Sequence, residues 1–166
     1  MSTPPEDETP ALLLDIPLED PAPAWHELPT AREQLAAKIM EDAPHITAYP
    51  WVMEPENVTK GKPVASVYRA NLNNGPQANV LRHDLTIDLY VSLTDGPEAE
   101  AEAEDALDEV LLALQRMPGV TWTDAKRVSF GNPAPVFAGY SISVSRVSKD
   151  HYLTTVLAEK AAGAGA

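Results

Sequence analysis

His83, Asp84 and Asp88 are the nearest approach in this chain to a catalytic constellation, a potential base beside two carboxylates. General acid–base chemistry needs such groups within hydrogen-bond reach of one another. Their positions work against it. The segment RHDLTIDLYVSL, from Arg82 to Leu93, alternates polar and apolar residues, and successive side chains of an extended strand leave on opposite faces. His83 therefore shares a face with Leu85, Ile87, Leu89, Val91 and Leu93, while Asp84 and Asp88 stand on the other with Thr86, Tyr90 and Ser92. The two aspartates lie about 13 Å apart at strand rise, too far to chelate one ion. They read as solvated charges on a sheet face.

The other chemistry-bearing patterns fare no better. EAEAEAED, from Glu98 to Asp105, has the carboxylates of a calcium site but sits in a helical pattern, not in a twelve-residue loop with a central glycine. His26, His45, His83 and His151 are scattered without metal-ligand spacing. The serines of SISVSRVS alternate outward from an apolar strand and lack a nucleophile elbow. Gly61, Gly75 and Gly131 are isolated, so no phosphate loop is assembled. There is no cysteine, which removes thiol nucleophiles, thiolate ligands and disulfides and suits a reducing cytoplasm. The reading is of a protein with no catalytic residues, cofactor or metal.

The elements that carry these residues are clearer than any chemistry. After the alternating strand comes a TDGP turn and a helix from Pro97 to Met117, with Asp95 as the expected N-cap, Pro97 at the first helical position and Gly119 closing the C-terminus. Ala103, Leu107, Val110, Leu114 and Met117 form its apolar stripe, and Glu98, Glu102, Asp105 and Glu109 lie opposite, in solvent. Thr30 and Glu33 form a capping box that starts an earlier helix, Thr30 to Met40, ending before Pro44. Ile46 to Met53 reads as a short strand that Pro50 confines to an edge or bulge. Val64 to Asn71 alternates as a strand, with either Val64, Ser66 and Tyr68 or Ala65 and Val67 inward. Asn71 to Leu81 is turn-rich and too long for a tight hairpin, so a projecting loop is expected. Val120–Phe130 and Phe137–Ser148 form a closing hairpin around GNPAP, with a phase break at Arg146 and Val147 that suggests a bulge or strand end.

This order predicts an α+β fold, a mostly antiparallel sheet of four to five strands with two helices on one face. Residues 1–27 read as an acidic, proline-rich arm, 28–157 as a single domain, and 158–166 as a frayed tail. The net charge of −13 is uneven: residues 1–29 hold seven acids and no Lys or Arg, and Glu98–Glu109 hold seven more. No basic cluster exists to grip phosphates, so tight nucleic-acid binding is not expected. No stretch approaches the roughly 20 apolar residues of a membrane span, and no export signal is visible. Leu12, Leu13, Leu14 and Trp25 in the arm are candidate docking residues. So are the turn residues Asn73, Asn74, Gly75, Pro76, Asn132 and Pro133, because turn-rich loops often carry contacts. Wet faces bearing Tyr90, Tyr140 or Trp122 would also suit a subunit interface.

Taken together, PENVTKGKPVASVYR, HDLTIDLYVSL, ALDEVLLALQRMPGV and the closing strand pair resemble the tail terminator proteins of long-tailed bacteriophages, especially those infecting actinobacteria. The resemblance spans about residues 28–150 and transfers no catalytic residue. It implies a small subunit of the virion neck, assembled in the host cytoplasm. Such a subunit forms a homohexameric ring that caps the tail tube protein, stops its polymerisation and meets the head connector. DNA would pass through the lumen without specific binding. A neighbouring head-completion protein is the alternative within that class. A small soluble enzyme or ligand-binding domain, with a pocket between sheet and helices reaching His83, is the alternative outside it.

Overall fold

The computed structural model describes residues 24–75, 80–92, 96–131, 137–149 and 162–163. A 3-10 turn at Trp25–Glu27 leads into helix α1 (Ala31–Asp42), strands β1 (Thr47–Tyr49), β2 (Val64–Asn74) and β3 (Val80–Tyr90), helix α2 (Pro97–Gln115), and strands β4 (Val120–Phe130) and β5 (Phe137–Lys149). The strands form one sheet in the order β1-β2-β3-β5-β4. β1 runs parallel to β2 and every other pairing is antiparallel, so the fold is α+β as the sequence predicts.

Both helices lie on one face of that sheet. Ala65 and Val67 of β2, Leu85, Ile87 and Leu89 of β3, Val91 just beyond it, and Ile142 and Val144 of β5 are all buried there. This settles the facing of β2, with Ala65 and Val67 inward. Leu35, Ala36 and Ile39 of α1 and Ala99, Ala103, Ala106, Val110, Ala113 and Leu114 of α2 cover them. Alanine dominates the buried side of α2, which lets the helix axis approach the sheet. Each fully buried Leu or Ile contributes about 1.5–3 kcal/mol over its exposed state, so this one layer supplies most of the cohesion.

The local signals are satisfied with small shifts. The Glu33 N–H donates to Thr30 Oγ1 at 3.3 Å, and the Thr30 N–H donates to Glu33 Oε2 at 3.1 Å, closing the capping box. At α2 the N-cap is Gly96, without a side-chain cap; Asp95 lies outside the described residues. The helix ends at Gln115 with Arg116 as C-cap, so Gly119 is not the residue that closes it. Gly119 instead opens β4 at φ 74°, its carbonyl accepting from the Val147 N–H at 3.0 Å. A left-handed φ with the Val147 carbonyl 2.9 Å from where a Cβ would stand makes glycine the fitting residue.

Three other expectations are corrected. Asn71 to Leu81 is not a projecting loop: β2 continues through Asn74 and β3 begins at Val80, paired down to Asn74 with Leu81. Backbone pairing with β3, not side-chain pattern, extends this polar stretch. The strand expected over Ile46–Met53 is only Thr47–Tyr49, cut off by Pro50, although it is indeed an edge. Finally, β5 has no break at Arg146 and Val147, whose pairing with His83 and Arg82 is continuous. The register shifts fall elsewhere, between Arg69 and Asn71 and between Trp122 and Asp124.

Candidate functional site

Three neighbouring strands change character at the same level of the helix-covered face. Along β2 the inward series runs Ala65, Val67, Arg69; along β3 it runs Leu89, Ile87, Leu85, His83; along β5 it runs Ile142, Val144, Arg146. The register pairs Arg69 with Leu85 and His83 with Arg146, so the apolar face gives way to a basic row. The start of α1 stands over this row, held by the Thr30 capping box, while the Gln34 amide donates to the Leu28 carbonyl at 2.6 Å.

Between them is a cleft of about 750 Å³. His26, Leu28, Pro29, Thr30, Ala31, Arg32 and Gln34 form one wall; Arg69, His83, Leu85 and Arg146 form the floor; Val52 and Tyr68 stand at the rim. Among the described residues three arginines and two histidines line it, and no acid does. Arg146 Nε and Nη1 are buried with no hydrogen-bond partner among the described residues, and so is Gln34 Oε1. Burial lowers the Arg146 pKa, because the charged form is removed from water without a compensating anion. In a chain of net charge −13 this concentration of cations is a local reversal of sign. Of the residues that make it, Arg146 is read from the sequence only as a phase break, and Arg32 and Arg69 carry no reading there. The signal on the strands is an arginine or histidine two places beyond the last apolar residue of each inward series.

The opposite sheet face is laced by cross-strand hydrogen bonds. Asp88 accepts from Tyr68 Oη at 3.0 Å and from Ser141 Oγ at 2.7 Å, and Asp84 accepts from the Asn73 amide at 2.6 Å. Both aspartates are thus tied into cross-strand bonds, and His83 is on the other side, as strand alternation predicts. Burial first, then the Asp88 bond, raises the Tyr68 pKa. Ser66 is buried; its Oγ donates to the Trp51 carbonyl at 2.7 Å and accepts from the Met53 N–H at 3.0 Å. The segment that follows β1 is folded onto this face, and Tyr90 Oη donates to the Met53 carbonyl at 3.2 Å. Tyr90 packs on Phe130 and Phe137 and is 4 % exposed, so it is not available to a partner subunit. Tyr140 is half-buried on the helix side, where the Arg127 guanidinium lies 5.9 Å from its ring. Trp122, at 37 % exposure, is the most exposed of the three.

The acidic helix is also less solvated than its phase suggests. Arg127 grips Glu100 through two nitrogens, at 2.6 and 3.3 Å, and these bonds lower the Glu100 pKa. Lys60 does the same to Glu98 at 3.0 Å. Glu102 accepts from the Gly61 N–H at 2.8 Å and from Ser92 Oγ at 3.1 Å, and Glu109 meets His45 at 3.0 Å. These acids hold flanking segments against α2. Glu104, Asp105 and Asp108 remain exposed. Among the described residues no three His, Asp or Glu side chains are arranged to hold a metal ion, and no helix is long and apolar enough to cross a membrane.

Of the candidate contact residues, Trp25 is half-buried against its own domain, with Lys38 Nζ 5.8 Å from its ring centroid. The packed region accordingly begins before residue 28. Asn73 and Asn74 are strand residues at the tip of the β2–β3 hairpin, where the Gly75 N–H donates to the Val80 carbonyl at 2.8 Å. Leu12, Leu13, Leu14, Pro76, Asn132 and Pro133 lie outside the described residues. No protein-family model matches this chain, and a search of curated proteins finds no match.

Proposed function

We propose that this protein is a virion structural subunit of the tail terminator class, acting by assembly into a ring on the end of a tail tube. The observation that carries the reading is a pair of strand edges, on opposite sides of one sheet, that are open among the described residues. β4 forms one border along eleven residues. On the other side β1 covers only Val64–Ser66, leaving Val67–Asn74 of β2 without a strand neighbour beyond it among the described residues. Unpaired edges are templates for pairing with another chain, and two unlike patches on one subunit generate head-to-tail contacts that close into rings. The exposed acids of α2 suit a subunit past which DNA slides, because like charge repels phosphate. Function then rests on shape and repeated contact, and the partners are further copies, the tube protein below and the head connector above.

The test is the mass of the purified protein in solution, together with negative-stain imaging alone and with tail tube protein. A ring that caps tubes supports the reading; a strict monomer that never caps them overturns it. A pull-down against tube and connector proteins separates a terminator from a head-completion protein.

A second reading, a small-ligand binding domain, is favoured by the cleft, whose volume falls in the roughly 300–1,000 Å³ range of ligand sites. Thermal-shift screening against anionic metabolites tests it, saturable stabilisation supporting it and a flat response removing it.

A further inference from the structure

We propose that the arginine cleft is a carboxylate receptor and that its occupant is the acidic segment of this same sequence, residues 1–23. The inference stands independently of the tail reading. It begins with a mismatch in the cleft itself. Buried guanidinium nitrogens without partners are costly, because the charge has lost its water and gained nothing in exchange. A carboxylate corrects this more completely than a neutral ligand. It neutralises the charge and offers two oxygens in the geometry of the guanidinium fork. Arg69 and Arg32 supply further cations on the floor and wall.

Residues 1–23 have the complementary chemistry. Glu6, Asp7, Glu8, Asp15, Glu19 and Asp20 are interspersed with Leu12, Leu13, Leu14, Ile16 and Leu18, and the segment holds no Lys or Arg. The cleft matches both kinds of residue, with apolar surface from Leu28, Val52 and Leu85 beside the cations. The segment also arrives at the right place. It joins the described structure at Ala24, two residues before His26 of the cleft wall. Asp20 and Glu19 lie four and five residues before that junction, within a reach of about 14–18 Å for extended chain. Tethering at such a distance gives an effective concentration in the millimolar range, so weak individual contacts suffice. Glu33, at the start of α1, is turned back onto Thr30, and Glu27 accepts from the Ala24 N–H at 3.2 Å, so neither competes.

The experiment uses the full chain with a photoreactive benzoylphenylalanine at Val52, which is 70 % exposed at the cleft rim. After irradiation, peptide mass spectrometry locates the cross-link. The expected result is attachment within residues 1–23, with a yield that falls about tenfold in Arg69→Gln/Arg146→Gln and in Asp15→Asn/Glu19→Gln/Asp20→Asn. The triple variant leaves the described domain untouched and guards against a folding defect in the double variant. Mixing isotopically light and heavy chains shows whether the segment belongs to the same copy or to a neighbour, and either result supports the assignment. Cross-links confined to other regions overturn it. A yield insensitive to the acid substitutions overturns it as well, since docking would then be apolar. So does displacement of the segment by a few millimolar inorganic phosphate with no effect of the acid substitutions, which marks the cleft as a site for free anions.

Discussion

The two ends of one sheet face obey opposite rules. At the end covered by the two helices, the inward positions of β2, β3 and β5 are Ala65, Val67, Ile87, Leu89 and Ile142, all closed off from solvent. At the end beneath the start of α1, the same three strands present Arg69, His83 and Arg146 around a cavity of about 750 Å³. The β3–β5 register runs unbroken between them, from Leu89 with Tyr140 to His83 with Arg146, while β2 shifts register against β3 just beyond Arg69. On β3 and β5 the change from core to cleft is therefore one of side-chain type, and on β2 it coincides with a bulge. Packing serves stability at one end, while the other end holds cations in a partly desolvated space, a cost that proteins bear where function requires it.

Substitutions along this face break or sharpen that contrast. Leu89→Asp places an unpaired charge at the closed end and should cost more than about 4 kcal/mol, enough to abolish cooperative unfolding in urea. Soluble, folded protein with this change would contradict the closed-core account. Ile87→Ala and Leu85→Ala compare the two regimes two residues apart on one strand. The first opens a sealed void and should cost about 4 kcal/mol, whereas the second enlarges an existing cavity that water can enter and should cost about 2 kcal/mol. Equal losses in denaturant midpoints would show that the cleft end is packed as tightly as the core. Thr30→Ala removes the cap that fixes the cleft wall and should cost about 1 kcal/mol, read as the same midpoint shift.

The smallest effect concerns pH. Glu98 and Glu100 have folded-state pKa values held below the ordinary 4.5 by hydrogen bonds from Lys60 and Arg127. A depressed carboxylate pKa contributes stability above 4.5, and that contribution is lost as pH falls through the lower folded value. The stability difference between the native chain and Lys60→Gln/Arg127→Gln should accordingly shrink as pH falls below 4.5, and at high salt, since these pairs are exposed. A difference that persists unchanged once these carboxylates are protonated would mean the loops are held on α2 by something other than these ion pairs.

Much of the fold was legible because its signals are local. The Thr30–Glu33 capping box, the alternation from His83 to Val91 and the apolar stripe of α2 depend on spacings of two, three and four residues. What escaped depended on partners distant in sequence. Asn71–Asn74 looked like loop because its side chains are polar, yet they are strand because β3 pairs with their backbone. Arg146 looked like a break in phase because an arginine on an apolar series is normally an error. The cavity that makes it tolerable is built by His26, Arg32 and Arg69, from three other parts of the chain. Tyr90 looked like interface for the same reason: the segment from Trp51 to Met53 that covers its face carries no pattern announcing where it folds.

The order β1-β2-β3-β5-β4 also sets a timetable. β3 is the middle strand, and one of its neighbours, β5, follows only after α2 and β4 have been made. At a synthesis rate of roughly 5–20 residues per second, the exposed edge of β3 waits several seconds on the ribosome before Phe137–Lys149 emerges to pair with it. During that interval the β2–β3 hairpin displays Leu85, Ile87 and Leu89 beside an open edge, a template for aggregation until β5 pairs with it. Chaperone dependence should rise when that last strand is delayed.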